Sequence, residues 1–370
     1  MEIVHVILGK ANPNRMNGVN KVVNSLATHQ TELGYNVSVW GITKNPVHDY
    51  PKRNYTTLLF KETSKLFLPE GLRAAILSKY QKTVFHFHGG FIPQFILIAQ
   101  LILRQGLDYV FTPHGSYNTI AMERSNWKKK LYINLFERAF VKNAKVLHFI
   151  GKSEIEGAKK LFRFKKYQLV PNGQSLEEIT IPAVSKNENP VPIFGFCGRL
   201  DIKTKGLDIL LRGFSEYHIK KGFKGELWLI GDGEEKDELV NLAQNLNIAG
   251  QVKFLGSLYG KEKIEKMNQL DYFMLTSRNE GLPGVVLEAS VLGVPCIVSK
   301  ATNMGDYITE HKAGITLRKN TPSVVANAMQ TAVIWKHNGK IKSLKENAKN
   351  MVKNQFNWKK IVTQLEQVYA

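Results

Sequence analysis

The stretch NEGLPGVVLEASVLGVPCIV, residues 279–298, decides how the chain reads. A Gly-Leu-Pro-Gly turn (Gly281 to Gly284) opens an apolar run with the character of a helix. Gly293 fits the C′ position that ends it, and Val294–Val298 reads as a buried strand. Turn, helix and buried strand in that order are one unit of a parallel α/β sheet. A helix start leaves backbone N–H groups free and carries partial positive charge, so it suits a phosphate or diphosphate. Glu280 precedes the turn and Glu288 lies about one turn inside the helix. Ionised carboxylates only accept hydrogen bonds, which suits vicinal hydroxyls of a sugar. Phosphate at the helix start and two acceptors for hydroxyls describe a nucleotide-sugar site. The plain alternative is a helix with a Pro-Gly start and two solvated glutamates.

Outward from that stretch the pattern repeats. A chain of 370 residues exceeds one ordinary core and implies two domains. Residues 2–8 form an apolar strand. A polar loop and Gly18 precede a helical pattern ending at Gly34, and Asn36–Trp40 alternates as a strand. Gly18 would let the backbone approach a phosphate; a plain turn explains it equally. No GxGxxG fingerprint follows the first strand, which argues against a dinucleotide enzyme. Strands at Thr83–Phe87 and Asp108–Thr112 run into HFHGG (86–90) and TPHGS (112–116). Strand C-terminal ends in such sheets face the ligand crevice, which places His114 there. The plain alternative is that these are structural histidines, His86 and His88 above all; a metal site from His86, His88 and His114 would lack a carboxylate or cysteine to complete it. In the second half, Ile193–Cys197 leads into GRLDIKTKGLDILLRGF, with Arg199 and Lys205 flanking a polar loop. A fork and a point charge there would neutralise a diphosphate, although loop cations are commonly just solvated. Strands at Glu226–Ile230, Val252–Leu255 and Asp271–Leu275 follow, the first ending in Gly-Asp-Gly. The organisation expected is an N-terminal domain 1–173, a linker 174–192, a C-terminal domain 193–354, and a C-terminal segment 355–370 whose helix packs back on the first domain.

Composition narrows the class. Apolar residues make up 43% and charged residues 22%, a globular balance. No apolar run reaches a membrane span. The start MEIVHVILGK lacks the basic region of a signal peptide, so a cytoplasmic location is expected. Cys197 and Cys296 read as buried thiols. The net charge of +20 is uneven: residues 1–172 carry 25 Lys+Arg against 10 Asp+Glu, leaving +5 for the rest. A basic half implies an anionic partner. Residues 61–82 are basic and amphipathic. Residues 126–145, NWKKKLYINLFERAFVKNAK, add a basic amphipathic helix with Trp127, suited to an anionic membrane surface or simply to packing its stripe on the sheet. Ser153 and Glu156 have the spacing of a capping box.

These motifs together resemble the family 4 glycosyltransferases of the retaining GT-B class, especially those that build bacterial surface polysaccharides. The resemblance spans nearly the whole chain. It rests on Gly18, TPHGS at 112–116, VPNG at 170–173, GRL and KTKG within 198–206, GDGE at 231–234 and EGLPGVVLE at 280–288. It implies a fold class of α/β type, two Rossmann-like doubly wound domains facing each other across a cleft. It implies Arg199, Lys205, Glu280 and His114 as the catalytic set. Arg199 and Lys205 would bind the donor diphosphate, Glu288 the ribose and Glu280 the transferred sugar. Backbone at Gly281, Leu282, Pro283 and Gly284 would contact sugar and phosphate, with the base near Phe254–Ser257 and Gly18 closing over the phosphates. Many members carry Phe-Gly after the position of Gly281; here Leu282-Pro283 stands there, which bears on the sugar accepted. The expected partners are a UDP- or GDP-sugar, a glycan or lipid-linked acceptor and an anionic membrane surface at the inner face of the cell membrane. Neither cofactor nor metal nor nucleic acid is expected. An epimerase acting on a nucleotide sugar and a non-enzymatic basic binding protein are the rival readings.

Overall fold

The computed structural model describes residues 1–12, 18–65, 67–80, 82–118, 126–164, 166–175, 179 and 191–370. The expectations for most of the linker and for residues 13–17 of the loop after the first strand fall outside these residues. The chain divides into two compact units, Met1–Gly173 with Trp358–Ala370, and Gln174–Asn357.

The first unit holds a seven-stranded sheet. Its strands are β1 (Glu2–Leu8), β2 (Asn36–Thr43), β3 (Thr56–Lys61), β4 (Thr83–His88), β5 (Asp108–Thr112), β6 (Val146–Phe149) and β7 (Tyr167–Leu169). The order is β3-β2-β1-β4-β5-β6-β7, with every pairing parallel. Strand order reverses between β1 and β4, the switch point where such sheets open a crevice. Side-chain alternation sorts the two faces. Val4, Val6, Phe85, Phe87, Tyr109 and Phe111 pack one core. Ile3, Val84, Val110 and Val146 pack the other, under the C-terminal helix Trp358–Tyr369, which contributes Trp358, Ile361, Val362, Leu365 and Val368. Two strands escaped the sequence reading. TTLLFK of β3 is a half-exposed edge strand, and YQL of β7 is short and exposed; neither carries the buried apolar run that marks a central parallel strand.

The helices of this unit are α1 (Gly18–Glu32), α2 (Glu70–Leu77), α3 (Pro93–Arg104), α4 (Asn126–Tyr132), α5 (Arg138–Asn143) and α6 (Lys152–Leu161). The basic helix expected over 126–145 is broken: a π turn, Ile133–Glu137, separates α4 from α5. One extra residue per turn rotates the helix, and Glu137 is buried, where it accepts from Tyr117 O–H at 2.6 Å and Phe91 N–H at 3.1 Å. The capping box is also corrected. Helix α6 begins at Lys152 with Gly151 as N-cap and no side-chain cap.

The second unit holds a six-stranded parallel sheet in the order β10-β9-β8-β11-β12-β13. Its strands are β8 (Ile193–Cys197), β9 (Glu226–Ile230), β10 (Val252–Gly256), β11 (Tyr272–Leu275), β12 (Cys296–Ser299) and β13 (Gly314–Leu317). The last, only four residues with one fully buried, also escaped the sequence reading. Helices α7 (Ile202–Lys205), α8 (Leu207–Ser215), α9 (Lys236–Asn245), α10 (Gly260–Asn268), α11 (Gly284–Val291), α12 (Gly305–Glu310), α13 (Pro322–His337) and α14 (Ile341–Gln355) complete it. The switch point lies between β8 and β11, whose C-terminal ends carry the sequence motifs.

Candidate active site

At the end of β8 the chain turns through Gly198 into α7. Asp201 is the N-cap of α7, accepting from Thr204 N–H at 2.7 Å. It also holds Arg199, Nη2 to Oδ2 2.9 Å, leaving the Arg199 side chain 59% exposed. Lys205 closes α7, and Gly206 follows at φ +65°. A Cβ there would lie 2.2 Å from the Thr276 carbonyl oxygen, so only glycine lets the β8 loop lie against the end of β11.

That close approach brings the two motifs together. Lys205 Nζ meets Glu280 Oε1 at 2.7 Å, and Ser277 Oγ donates to the same oxygen at 2.7 Å. The Glu280 carbonyl accepts from Asn303 Nδ2 at 3.0 Å, the Gly281 carbonyl at 2.6 Å. Arg278, just before Glu280, is forked onto Asp208 at 2.8 and 2.7 Å and braces α8. Helix α11 starts at Gly284 after Pro283 with no side-chain cap, so its start stays polarised. Buried Glu288, one turn in, meets Lys263 of α10 at 2.7 Å. Cys197 ties the pairs to one place: burial pushes its thiol up to about 11, and the charges of Lys263, Glu288 and Lys205 all act on it. Two cation–carboxylate pairs therefore surround the end of β8 beside an uncapped helix start.

The expected donor residues are thus brought together, with one difference. Glu280 and Glu288 each hold a lysine, so their oxygens are partly engaged. Lys263 was missed by sequence reasoning, because it sits in KEKIEK, a run that reads as a solvated face. Only its contact with Glu288 of α11 singles it out. Phe254 is half-buried and Ser257 exposed at the end of β10, where the strand register shifts.

In the first unit, Gly18 begins α1, and a Cβ there would meet open space. His114 follows β5 with φ +52°. Ala11 and Phe91, after β1 and β4, also have positive φ, at 49° and 61°. Three non-glycine residues in this sparsely populated region cluster at the strand ends, where strain is commonly kept for function. The His114 turn is held from behind. Glu154 of α6 is buried and accepts the Gly115 N–H and, at 3.3 Å, the Ile150 N–H. Burial raises its carboxyl to about 7 despite those two donors. The S-x-x-E pattern therefore singled out Glu156, while the carboxylate that reaches the backbone is Glu154.

The histidines that come together are not the three of the alternative metal reading. The nitrogens that converge are those of His5, His86 and His88, all within 4.8 Å of one another, with His5 and His86 register partners across β1 and β4. The ring nitrogens of these three are joined to Gln30, Tyr369, Thr112, His114 or each other at 2.7 to 3.0 Å. Burial keeps every ring neutral: His5 and His148 fall to about 4, His114 to about 3, and His86 and His88 well below the usual range.

Residues 16–178 match the model described as Glycosyltransferase Family 4, and residues 177–354 match Glycosyl transferases group 1. The chain belongs to these glycosyltransferase families. It is 30% identical over 263 residues to EpsF of Bacillus subtilis, a protein named as a glycosyltransferase, covering 67% of this chain and 64% of EpsF. It is 26% identical over 222 residues to the capsular polysaccharide biosynthesis glycosyltransferase CapM of Staphylococcus aureus, covering 58% and 53%. The match thus spans somewhat over half the length of these relatives. The Anabaena protein HepE, solved with UDP-glucose, shares the fold at TM-score 0.75 and 15% identity, covering 100% of this chain and 99% of HepE. The fold class is that of the GT-B glycosyltransferases. Among the described residues no helix is long and apolar enough to cross a membrane.

Proposed function

We propose that the chain moves a hexose from a nucleotide-sugar donor to a glycan acceptor with retention of configuration, in the synthesis of a cell-surface polysaccharide. The observation that carries this is the pair of lysine–carboxylate contacts, Lys205–Glu280 and Lys263–Glu288, around the uncapped start of α11. A departing nucleoside diphosphate brings its own negative charge. Lys205, Lys263, Arg199 and the helix start would then stabilise it electrostatically, without a metal ion. Glu288 is the ribose acceptor and Glu280 the sugar acceptor, each freed as its lysine turns to phosphate. The acceptor hydroxyl attacks the anomeric carbon from the side of the leaving group. The carbon–oxygen bond to the diphosphate breaks, the new glycosidic bond forms, and the departing phosphate takes the proton.

UDP is the favoured nucleotide, since HepE of the same fold is solved with UDP-glucose. A lipid-linked acceptor on an anionic membrane face, reached from the cytoplasm, accounts for the basic first unit. Trp127, Leu131 and Leu135, spaced by four residues on α4 and the π turn, are 68, 52 and 61% exposed beside Lys128 and Lys130. Ile133, Phe140 and Val141 of the same segment pack on the sheet, so Trp127, Leu131 and Leu135 form a second apolar stripe, turned to solvent among cations, which suits membrane contact.

The test is a thermal-shift screen of UDP, GDP, ADP and their sugars. Ligand at about 100-fold its Kd raises stability by about 2.7 kcal/mol. UDP and one UDP-sugar should raise Tm. No shift from any nucleotide would overturn the donor reading.

A further inference from the structure

The buried histidines form one continuous chain of hydrogen bonds, and its direction is fixed from one end. The Val170 carbonyl can only accept, so His148 Nε2, 2.8 Å away, carries a hydrogen. A neutral His148 then has a lone pair on Nδ1, and Thr112 Oγ1 must donate to it at 2.7 Å. The hydroxyl in turn accepts from His86 Nε2 at 2.7 Å, which leaves His86 Nδ1 to accept from Tyr369 O–H at 2.9 Å. The phenol oxygen accepts from Gln30 Nε2 at 3.0 Å, so the amide oxygen of Gln30 faces His5 Nε2 at 2.7 Å. His5 Nε2 donates there, His5 Nδ1 accepts from His88 Nε2 at 2.9 Å, and His88 Nδ1 accepts from His114 Nε2 at 3.0 Å. Every interior member is satisfied in this one direction and in no other, because a neutral ring has one donor and one acceptor. His5, His86, His88, His148, Thr112, Gln30 and Tyr369 are all buried, so water does not break the chain. The chain ends on His114, whose Nδ1 forms no hydrogen bond to any described residue.

We propose that His88, His5 and Gln30 are positioning residues that hold His114 in the Nε2–H tautomer, so that its Nδ1 is presented as a hydrogen-bond acceptor to a hydroxyl of the sugar substrate. The inference rests on the glycosyltransferase reading for its ligand class, and on the hydrogen-bond chain alone for the tautomer. The C-terminal helix takes part through Tyr369, which orients the Gln30 amide.

The experiment is a long-range proton–nitrogen correlation spectrum of full-length protein with 15N-labelled histidine, at pH 7. His5, His86, His88, His114 and His148 should all show the neutral Nε2–H pattern. A charged His114 ring, or His114 in the Nδ1–H form, overturns the proposal without any variant being made. Gln30→Met removes the amide at similar volume. A buried N–H without an acceptor costs more than a bare lone pair, so His5, His88 and His114 should all switch to Nδ1–H while His86 and His148 keep their form. An unchanged His114 in that variant also overturns the proposal. With UDP-glucose as the probe, the wild-type His114 Nδ1 signal should move upfield, and UDP alone should leave it in place; a Nδ1 signal unmoved by UDP-glucose overturns the substrate contact. Kinetically, Gln30→Met should lower kcat about tenfold and leave the UDP affinity unchanged. Failure of every nucleotide to bind would sink the functional reading and leave the tautomer result standing, so the two failures are separable.

Discussion

The two units share one architecture and fill their strand ends in opposite ways. The first links five neutral rings in series, four of them buried and His114 half-buried at the end; the second gathers lysines and carboxylates in pairs. Both obey the same constraint, that a buried polar group needs a partner, but the solutions differ in what they can give up. A neutral relay is complete without a ligand and has only its end to offer. An ion pair can exchange its partner for a ligand of the same charge. The first unit is thus built to present a fixed group, the second to be reorganised by what binds.

The sharpest way to break this contrast is to ask whether the second unit's pairs are binding groups or ordinary buried salt bridges. Lys205→Ala should lower turnover at least about 10²-fold, as loss of one group that stabilises leaving charge does. Removing one partner of a buried pair also strands the other, so Glu288→Ala alone is ambiguous. The paired replacement Lys263→Met with Glu288→Leu removes both charges together. Melting should stay close to wild type, while the UDP-induced shift disappears. If the paired variant still binds UDP normally, the Lys263–Glu288 contact is only structural.

Acid should separate the units next. The five rings have folded pKa values lowered from 6.5, so their contribution is present above pH 6.5 and is lost as pH falls toward 4. Each ring that is charged only when unfolded adds about 1.4 kcal/mol per pH unit of slope in that window. Glu154 and Glu137 act in the opposite sense, since burial raises both carboxyls. Their contribution is full below the ordinary carboxylate range and falls as pH rises above it, for Glu154 up to about 7, but two groups are outweighed by five. Urea unfolding from pH 7 to 4.5, followed by fluorescence and by exchange of the two units' amides, should show the first unit failing first. A pH-independent first unit would mean the rings are not buried neutral.

What could be read in advance divides along the same line. Central parallel strands announce themselves as apolar runs, and the EGLPGVVLE motif pointed to the second unit's candidate site because its helix start and both glutamates lie within nine residues. Lys263 left no such mark, because a cation is singled out only by the element packed beside it. The relay was half visible. His86, His88 and His114 stand in motifs, yet His5 in EIVHVIL and His148 in VLHF break wholly apolar strands, and that anomaly is itself a signal. Their partners Gln30 and Tyr369, 339 positions apart in one hydrogen bond, belong to tertiary structure alone. Single-residue spacing rules failed where a neighbour fitted better, as when Glu154 rather than Glu156 reached the backbone.

Close backbone approach gives a smaller effect that tests both loops. Gly157→Ala would set a Cβ 2.2 Å from the Tyr117 carbonyl behind the His114 turn, and Gly206→Ala the same distance from the Thr276 carbonyl. Each should cost about 1–3 kcal/mol by overpacking. Gly206 also has φ +65° and should be the worse of the two, pushing the α7 loop away so that Lys205 no longer reaches Glu280. Equal costs would mean that backbone strain at Gly206 contributes little.

The mildest test concerns the outside of the first unit. Its strand ends hold neutral rings, while Lys128 and Lys130 lie exposed on its surface with Trp127, Leu131 and Leu135 among them. Attraction to anionic lipid supplies long-range affinity that salt screens within about 10 Å at 0.1 M. The three apolar side chains supply an area-dependent part that salt leaves alone. Binding to vesicles of phosphatidylglycerol should therefore fall steeply as salt is raised about tenfold from about 50 mM. Trp127→Ala should weaken it severalfold at every salt concentration, whereas Lys128→Ala with Lys130→Ala should weaken it chiefly at low salt. If Trp127→Ala changes nothing, the exposed stripe serves another purpose and the attraction is charge alone; if no vesicle is bound even at low salt, the basic surface of the first unit does not meet a membrane.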